Sequence, residues 1–356
     1  MQTETFSSII QPEIKAAGIP GCSYVVVNRE GILAAGGTGL ADIRQGRAAS
    51  AETVYHLFSA TKLYTATAIM QLVESGQLGL DTPFVEILPE IRRAGLGSIT
   101  IRHLLTHTSG LSDTLKAAVT VRRAGESAPE ADEVLKRYQL KSIRPAGKKV
   151  EYANVGYAIL GAVIARVTGQ SYTAAIESNI LRPLGMGATF THTPAQLAAS
   201  ATAYLGTWDP MRLLVGLLLP EIKWVLGERV GGFVALQPYE LDSAAIGGLV
   251  GSPLDFAPFL TASLNEGRGL VQAETCQQMQ SLQARGQAGY EARLGMGLGW
   301  KIGANFINHE GGGAGYATET RLYPSKNLGI LLMMNLSSAK AHKAAHRICE
   351  SIAQTF

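Results

Sequence analysis

The chain has 356 residues, 46% of them hydrophobic and 17% charged, with a formal net charge of +3. That length and apolar share support a large core in one big domain or two interleaved ones, and argue against long disordered tracts. The charge is small and no basic run is interleaved with aromatics, so nucleic acid is not an expected partner. No stretch has the length of a membrane span; the nearest, 211–226, is broken by Pro220 and carries Arg212, Glu221 and Lys223. Residues 1–5 lack the basic and apolar regions of a signal peptide, which makes the cytoplasm the expected location, although a trimmed leader would leave the same sequence. Cys22, Cys276 and Cys349 form an odd set without paired spacing, which favours free thiols over a disulfide.

In chain order, 21–40 reads as a hairpin, with a strand at Val25-Val26-Val27, a turn at 28–31 and a return at 32–35. Leu63, Ala66, Ile69, Met70 and Val73 then recur at helical spacing until Ser75-Gly76 stops the run. From about 82 to 241 helices and loops are expected to dominate. They include a short helix at 101–105, a stronger one at 155–167 closed by Gly169, and a loop at 179–187. The last third changes character: 296–302, 304–308, 317–323 and 328–334 read as strands, and 338–353 as a helix. Strands at both ends with helices between imply an α/β (α+β) fold. Its antiparallel sheet would be assembled from 1–80 and 242–356, with a mostly helical region inserted at 81–241.

Three motifs carry chemistry. In Ser59-Ala60-Thr61-Lys62, a hydroxyl and an amine lie on one face of a helix's first turn. Free serine is a weak nucleophile, and an adjacent base must take its proton; a lysine serves once burial or cationic neighbours lower its pKa. In Tyr152-Ala153-Asn154, extended spacing points the phenol and the amide the same way. A neighbouring ammonium would push Tyr152 toward the phenolate. Asn154 could hold substrate and Lys62, or only cap the next helix. In His309-Glu310-Gly311-Gly312-Gly313, glycines permit close backbone approach, and a strand edge there could donate an N–H to an oxyanion alongside that of Ser59. A plain glycine-rich turn is the other reading.

Taken together, in this order and separation, the three motifs resemble the Tyr-x-Asn branch of the serine β-lactamase and penicillin-binding-protein-like superfamily: class C β-lactamases, D-peptidases and family VIII carboxylesterases. The segments 104–111, 181–186 and 309–335 resemble recurring family segments as well, so the likeness covers nearly the whole chain. It implies a β-lactamase/transpeptidase-like fold. It also implies Ser59 as the acylated nucleophile, with Lys62 and Tyr152 sharing the proton work and Tyr152 relaying it to the leaving group. Asn154 would orient substrate and Lys62, and the N–H groups of Ser59 and Gly312 would form the oxyanion hole next to Gly311. His309 would stand where many relatives have lysine.

That histidine departs from the lysine pattern. An ammonium would anchor a substrate carboxylate permanently, whereas histidine is mostly neutral at pH 7, and Glu310 adds a negative charge that discourages anionic substrates. The apolar stretch 204–239 reads as a cap or acyl pocket over the cleft, or as ordinary helix packing or a dimer face. His103/His107 and His342/His346 have zinc-compatible spacing, but no third ligand follows and His309-Glu310 lacks the second histidine of a zincin motif. No metal or cofactor is therefore expected. The activity expected is that of a serine hydrolase acting through an acyl-enzyme on a small-molecule ester, amide or lactam. A carboxylesterase on small or medium acyl esters comes first, then a D-amino-acid peptidase, then a weak β-lactamase. A non-catalytic binding protein of the same fold is the rival class. The oligomeric state is not legible.

Overall fold

A computed structural model of the chain describes residues 2–113, 120–207, 220–286 and 293–356. The hairpin expected at 21–40 is β1 (Gly21–Asn28) with β2 (Gly31–Asp42). Its tight turn ends on Gly31 at φ +134°, a backbone conformation that glycine adopts without strain. Short β3 (Arg47–Ala48) extends this edge, and β4 (Tyr55–His56) leads toward Ser59. Next come β5 (Val121–Arg123), β6 (Tyr204–Gly206), β7 (Leu226–Val230), β8 (Phe233–Leu236), β9 (Tyr239–Leu241) and β10 (Val250–Gly251). The C-terminal strands are β11 (Ala284–Arg285), β12 (Arg293–Met296), β13 (Lys301–Gly303), β14 (Ile307–Gly313), β15 (Tyr316–Tyr323) and β16 (Leu328–Met334).

The main sheet has nine strands in the order β11-β12-β13-β14-β15-β16-β1-β2-β3. Its pairings are antiparallel, and β1 meets β16 in the register Cys22↔Met334 through Val27↔Gly329. Helices that cover the sheet or position the site are α1 (Gln2–Ala17), α2 (Lys62–Glu74), α3 (Ile101–Leu105), α4 (Asn154–Thr168), α5 (Ala244–Gly247), α6 (Pro253–Leu264) and α7 (Ala339–Ala353). Alternate residues of the central strands enter two cores. Val25, Val27, Leu331 and Met333 face the larger one with α2 and α4. Tyr24, Val26, Ile330, Leu332 and Met334 face the smaller one with Phe6, Ile10 and Ile14 of α1 and Ala344 and Ile348 of α7. With both faces covered, these strands read as unbroken apolar runs rather than alternating ones.

Several expectations need correction. Strands interrupt the region read as helices and loops: β5 pairs with β9, and β6-β8-β7 form a three-stranded sheet inside the stretch read as a cap. The leucine-rich run 213–219 of that stretch lies outside the described residues. The loop at 179–187 begins in a wide helical turn, Glu177–Leu181. The strands read at 296–302 and 304–308 are displaced. Gly297 N–H bonds to Trp300 C=O at 2.8 Å, which puts a turn in the first. The second, β14, continues through the glycine run as far as Gly313. Helix α1 carried no expectation; its apolar residues fill the smaller core. The three cysteines are free and buried. Among the described residues, no helix is long and apolar enough to cross a membrane.

Candidate active site

The turn that carries Ser59 is gripped on several sides. Ahead of it, β4 pairs with β10, Leu57 N–H bonds to Leu249 C=O at 2.8 Å, and the Thr318 hydroxyl donates to Leu57 C=O at 3.0 Å. Phe58 is held at φ +50°, strained for a bulky residue, immediately before Ser59. A single 3-10 turn, Phe58–Thr61, then runs into α2, so hydroxyl and amine share a face as their spacing predicts. The glycine run lies flush against this turn. A Cβ on Gly311 would fall 2.2 Å from Leu57 O and 2.3 Å from Thr318 Oγ1, and one on Gly313 1.9 Å from the Phe58 ring. Only glycine lets β14 come this close.

Lys62 is wholly buried, and its Nζ lies 3.1 Å from Ser59 Oγ, 3.0 Å from Asn154 Oδ1 and 3.0 Å from the Ile246 carbonyl of α5. Burial drives its pKa well below that of a free lysine; Asp113 opposes the shift and Lys301 adds to it. A neutral amine has two hydrogens and one lone pair. With the two carbonyl oxygens taking the hydrogens, the lone pair of such an amine would face the Ser59 hydroxyl. Asn154 is not a helix cap: Asp113 caps α4 instead, accepting from Asn154 N at 2.9 Å and Val155 N at 3.2 Å. Asp113 also accepts from Asn154 Nδ2 at 3.0 Å, which fixes the amide with its oxygen toward Lys62.

The Tyr152 ring centre is 5.1 Å from Lys62 Nζ, and its hydroxyl is enclosed without a well-formed hydrogen bond. The expectation that a lysine would drive it to phenolate is overturned. Burial raises its pKa; the nearby Ser59 hydroxyl pulls it down, and Glu310 and Asp113 push it further up. The His107 ring packs on Tyr152 at 4.4 Å between centres, and its Nδ1 accepts from Ala153 N at 3.2 Å, holding the Tyr-x-Asn segment in place.

His309 is fully buried, with its ring centre 6.2 Å from that of Tyr152. Its Nδ1 donates to Glu310 C=O at 2.8 Å, so Nε2 carries an unpaired lone pair. Burial first, then the nearby Lys301 charge, push its pKa well down, and it is neutral. The free charge expected of Glu310 is also corrected. Lys301 of β13 forms an ion pair with it and lies 5.4 Å from the Tyr152 ring centre. The site does contain a second lysine, supplied by a neighbouring strand and matched by a carboxylate. Sequence reasoning missed Lys301, Asp113 and the Ile246 carbonyl. For Asp113 a signal existed: a carboxylate two residues beyond the 104–111 segment, opposite a helix start that lacks its own cap.

This sheet with its flanking helices, and the three motifs brought into contact, define a β-lactamase/transpeptidase-like fold. The chain belongs to the Beta-lactamase family, whose profile matches residues 6–351. Esterase EstB of Burkholderia gladioli is 35% identical over 191 residues, 50% of this chain and 49% of that protein. Protein flp of Staphylococcus aureus strain MRSA252 is 30% identical over 193 residues, 53% of this chain and 38% of that protein. The matches therefore span about half or less of these relatives' length. Among solved structures, the D-amino acid amidase of Ochrobactrum anthropi superposes with a TM-score of 0.82 at 21% identity over 99% of both chains. The octameric penicillin-binding protein homologue of Pyrococcus abyssi does so with 0.79 at 25%, over 99% of this chain and 78% of that one.

Proposed function

We propose that this protein is a serine hydrolase that works through an acyl-enzyme, and that its substrates are uncharged esters of small or medium acyl groups. One observation carries the mechanism: the Lys62 amine, stripped of water and held by two carbonyl acceptors, lies 3.1 Å from Ser59 Oγ. The Ser59 proton passes to the Lys62 lone pair as Oγ bonds to the ester carbonyl carbon. The oxyanion forms against the N–H groups of Ser59 and Gly312, at the edge that the glycine run makes accessible. The proton then moves through Tyr152 to the departing alkoxide as the C–O bond breaks. In the second half water attacks the acyl carbonyl, gives its proton to the same pair, and Ser59 regains one on leaving.

The preference for esters rests on charge. Burial disfavours charge on Lys62 and His309, Lys301 is paired with Glu310, and Asp113 is committed to the α4 N-terminus. No unmatched cation remains among these groups to hold the carboxylate of a β-lactam or of a peptide's C-terminus. A fluorophosphonate probe with mass-spectrometric mapping tests the mechanism. Labelling of Ser59, lost in Ser59→Ala, is expected; equal labelling of both forms, or none, would favour the non-catalytic binder. Parallel panels of p-nitrophenyl esters, D-amino-acid amides and a cephalosporin test the substrate class. Higher kcat/KM on an amide or the cephalosporin than on every ester would overturn the ester reading and leave the nucleophile intact.

A further inference from the structure

Away from the lysine and tyrosine, three buried side chains from distant parts of the chain converge: His56 of β4, His192, and Glu240 of β9. Each offers a donor atom, and these atoms all lie within 4.8 Å of one another. His56 is 1% exposed, His192 8% and Glu240 0%. The arrangement leaves specific atoms without partners. His56 Nε2 donates to Tyr239 C=O at 2.8 Å, which orients the ring, while Nδ1 is buried and unpaired. Glu240 Oε1 accepts from Gly125 N at 3.1 Å, His192 N at 2.8 Å and His192 Nδ1 at 3.0 Å, while Oε2 is buried and unpaired. An orphaned carboxylate oxygen and an orphaned imidazole lone pair in one buried cluster are costly unless something binds them.

We propose that His56, His192 and Glu240 form a binding site for a divalent transition-metal cation, with zinc the ion that best suits this nitrogen–nitrogen–oxygen donor set. An outer hydrogen bond of the kind that holds metal ligands in place anchors the His56 imidazole on the Tyr239 carbonyl. Glu240 supplies the oxygen donor of the set. The neighbouring cation, Arg122, is itself engaged by Asp242 at 3.5 Å and by the Leu241 carbonyl. A cavity of about 260 Å³ reaches His56 and His192 from outside and gives an ion a path in. Zinc at about 2 Å from each donor draws the three closer together by side-chain rotation. The ion would tie β9 to β4, the strand that leads into Ser59, as a brace.

The test uses the full chain, stripped with chelator, dialysed against zinc or cobalt(II), and compared with Glu240→Gln and His192→Ala. The expected result is about one zinc per chain, intense tetrahedral cobalt absorption, and about 100-fold weaker binding in both variants. No binding to the wild type at micromolar zinc, or equal binding by the variants, would overturn the site; equal binding would place the ion elsewhere, for example at His342 and His346. Fluorophosphonate labelling of Ser59 reports whether each variant folds. If either does not, zinc protection of wild-type His192 from diethyl pyrocarbonate decides, and a failure to protect overturns the proposal.

Discussion

Ammonium with phenolate and amine with phenol hold the same number of protons, so solvation decides which pair Lys62 and Tyr152 adopt. Both groups are cut off from water, and burial lowers one pKa while it raises the other. Burial favours the neutral pair, and in the proposed mechanism the lysine is the resting base and the tyrosine a carrier. Tyr152→Phe should lower kcat by about 100-fold or more, while fluorophosphonate still labels Ser59. Lys301 and Glu310 should tune the base in opposite directions. In the proposed mechanism the rate needs unprotonated Lys62 and falls below its pKa. Lys301→Met removes a charge that lowers that pKa and exposes Glu310, so the acid limb of kcat/KM should move to higher pH. Glu310→Gln leaves Lys301 unmatched and should move it to lower pH. Steady-state pH profiles of the two variants check both signs, and a limb that stays put in both belongs to another group.

At the level of elements, the N-terminus of α4 joins stability to chemistry through one carboxylate. Asp113 satisfies two amide donors of the helix start and holds the Asn154 side chain. Asp113→Ala should cost about 0.5–2 kcal/mol, read from urea unfolding. It should also lower kcat, because nothing then fixes Asn154 Oδ1 toward Lys62. Elements whose signals are local were legible in the sequence: the 21–40 hairpin, α2 with its Ser-x-x-Lys start, α3 and α4. What stayed hidden depends on pairing across the chain. Lys301 enters the site only because β13 pairs with β14 in the register Lys301↔Asn308. The Ile246 acceptor is a backbone oxygen, invisible in any side-chain pattern. The strands β6, β7 and β8 are only three to five residues long, so their alternation is too short to stand out, and glycine interrupts β6 and β7.

Across the whole molecule, the sheet divides two cores, and one polar network crosses the smaller of them. Arg321 of β15 is fully buried; it bonds to Glu319 at 2.9 Å and to Glu350 of α7 at 3.1 Å. Arg321→Met would leave Glu319 uncompensated and should cost about 3–5 kcal/mol, measured by equilibrium denaturation.

The pairing of β1 with β16 has a consequence for how the protein is made. During synthesis β1 waits for a central neighbour that emerges about 300 residues later, judged from the register Cys22↔Met334. Until then the apolar hairpin has an open flank where other chains can dock, and closing so long a loop is slow. Nascent chains halted before β16 should therefore lean on chaperones and be cleared by proteases, while chains extended past it should resist digestion.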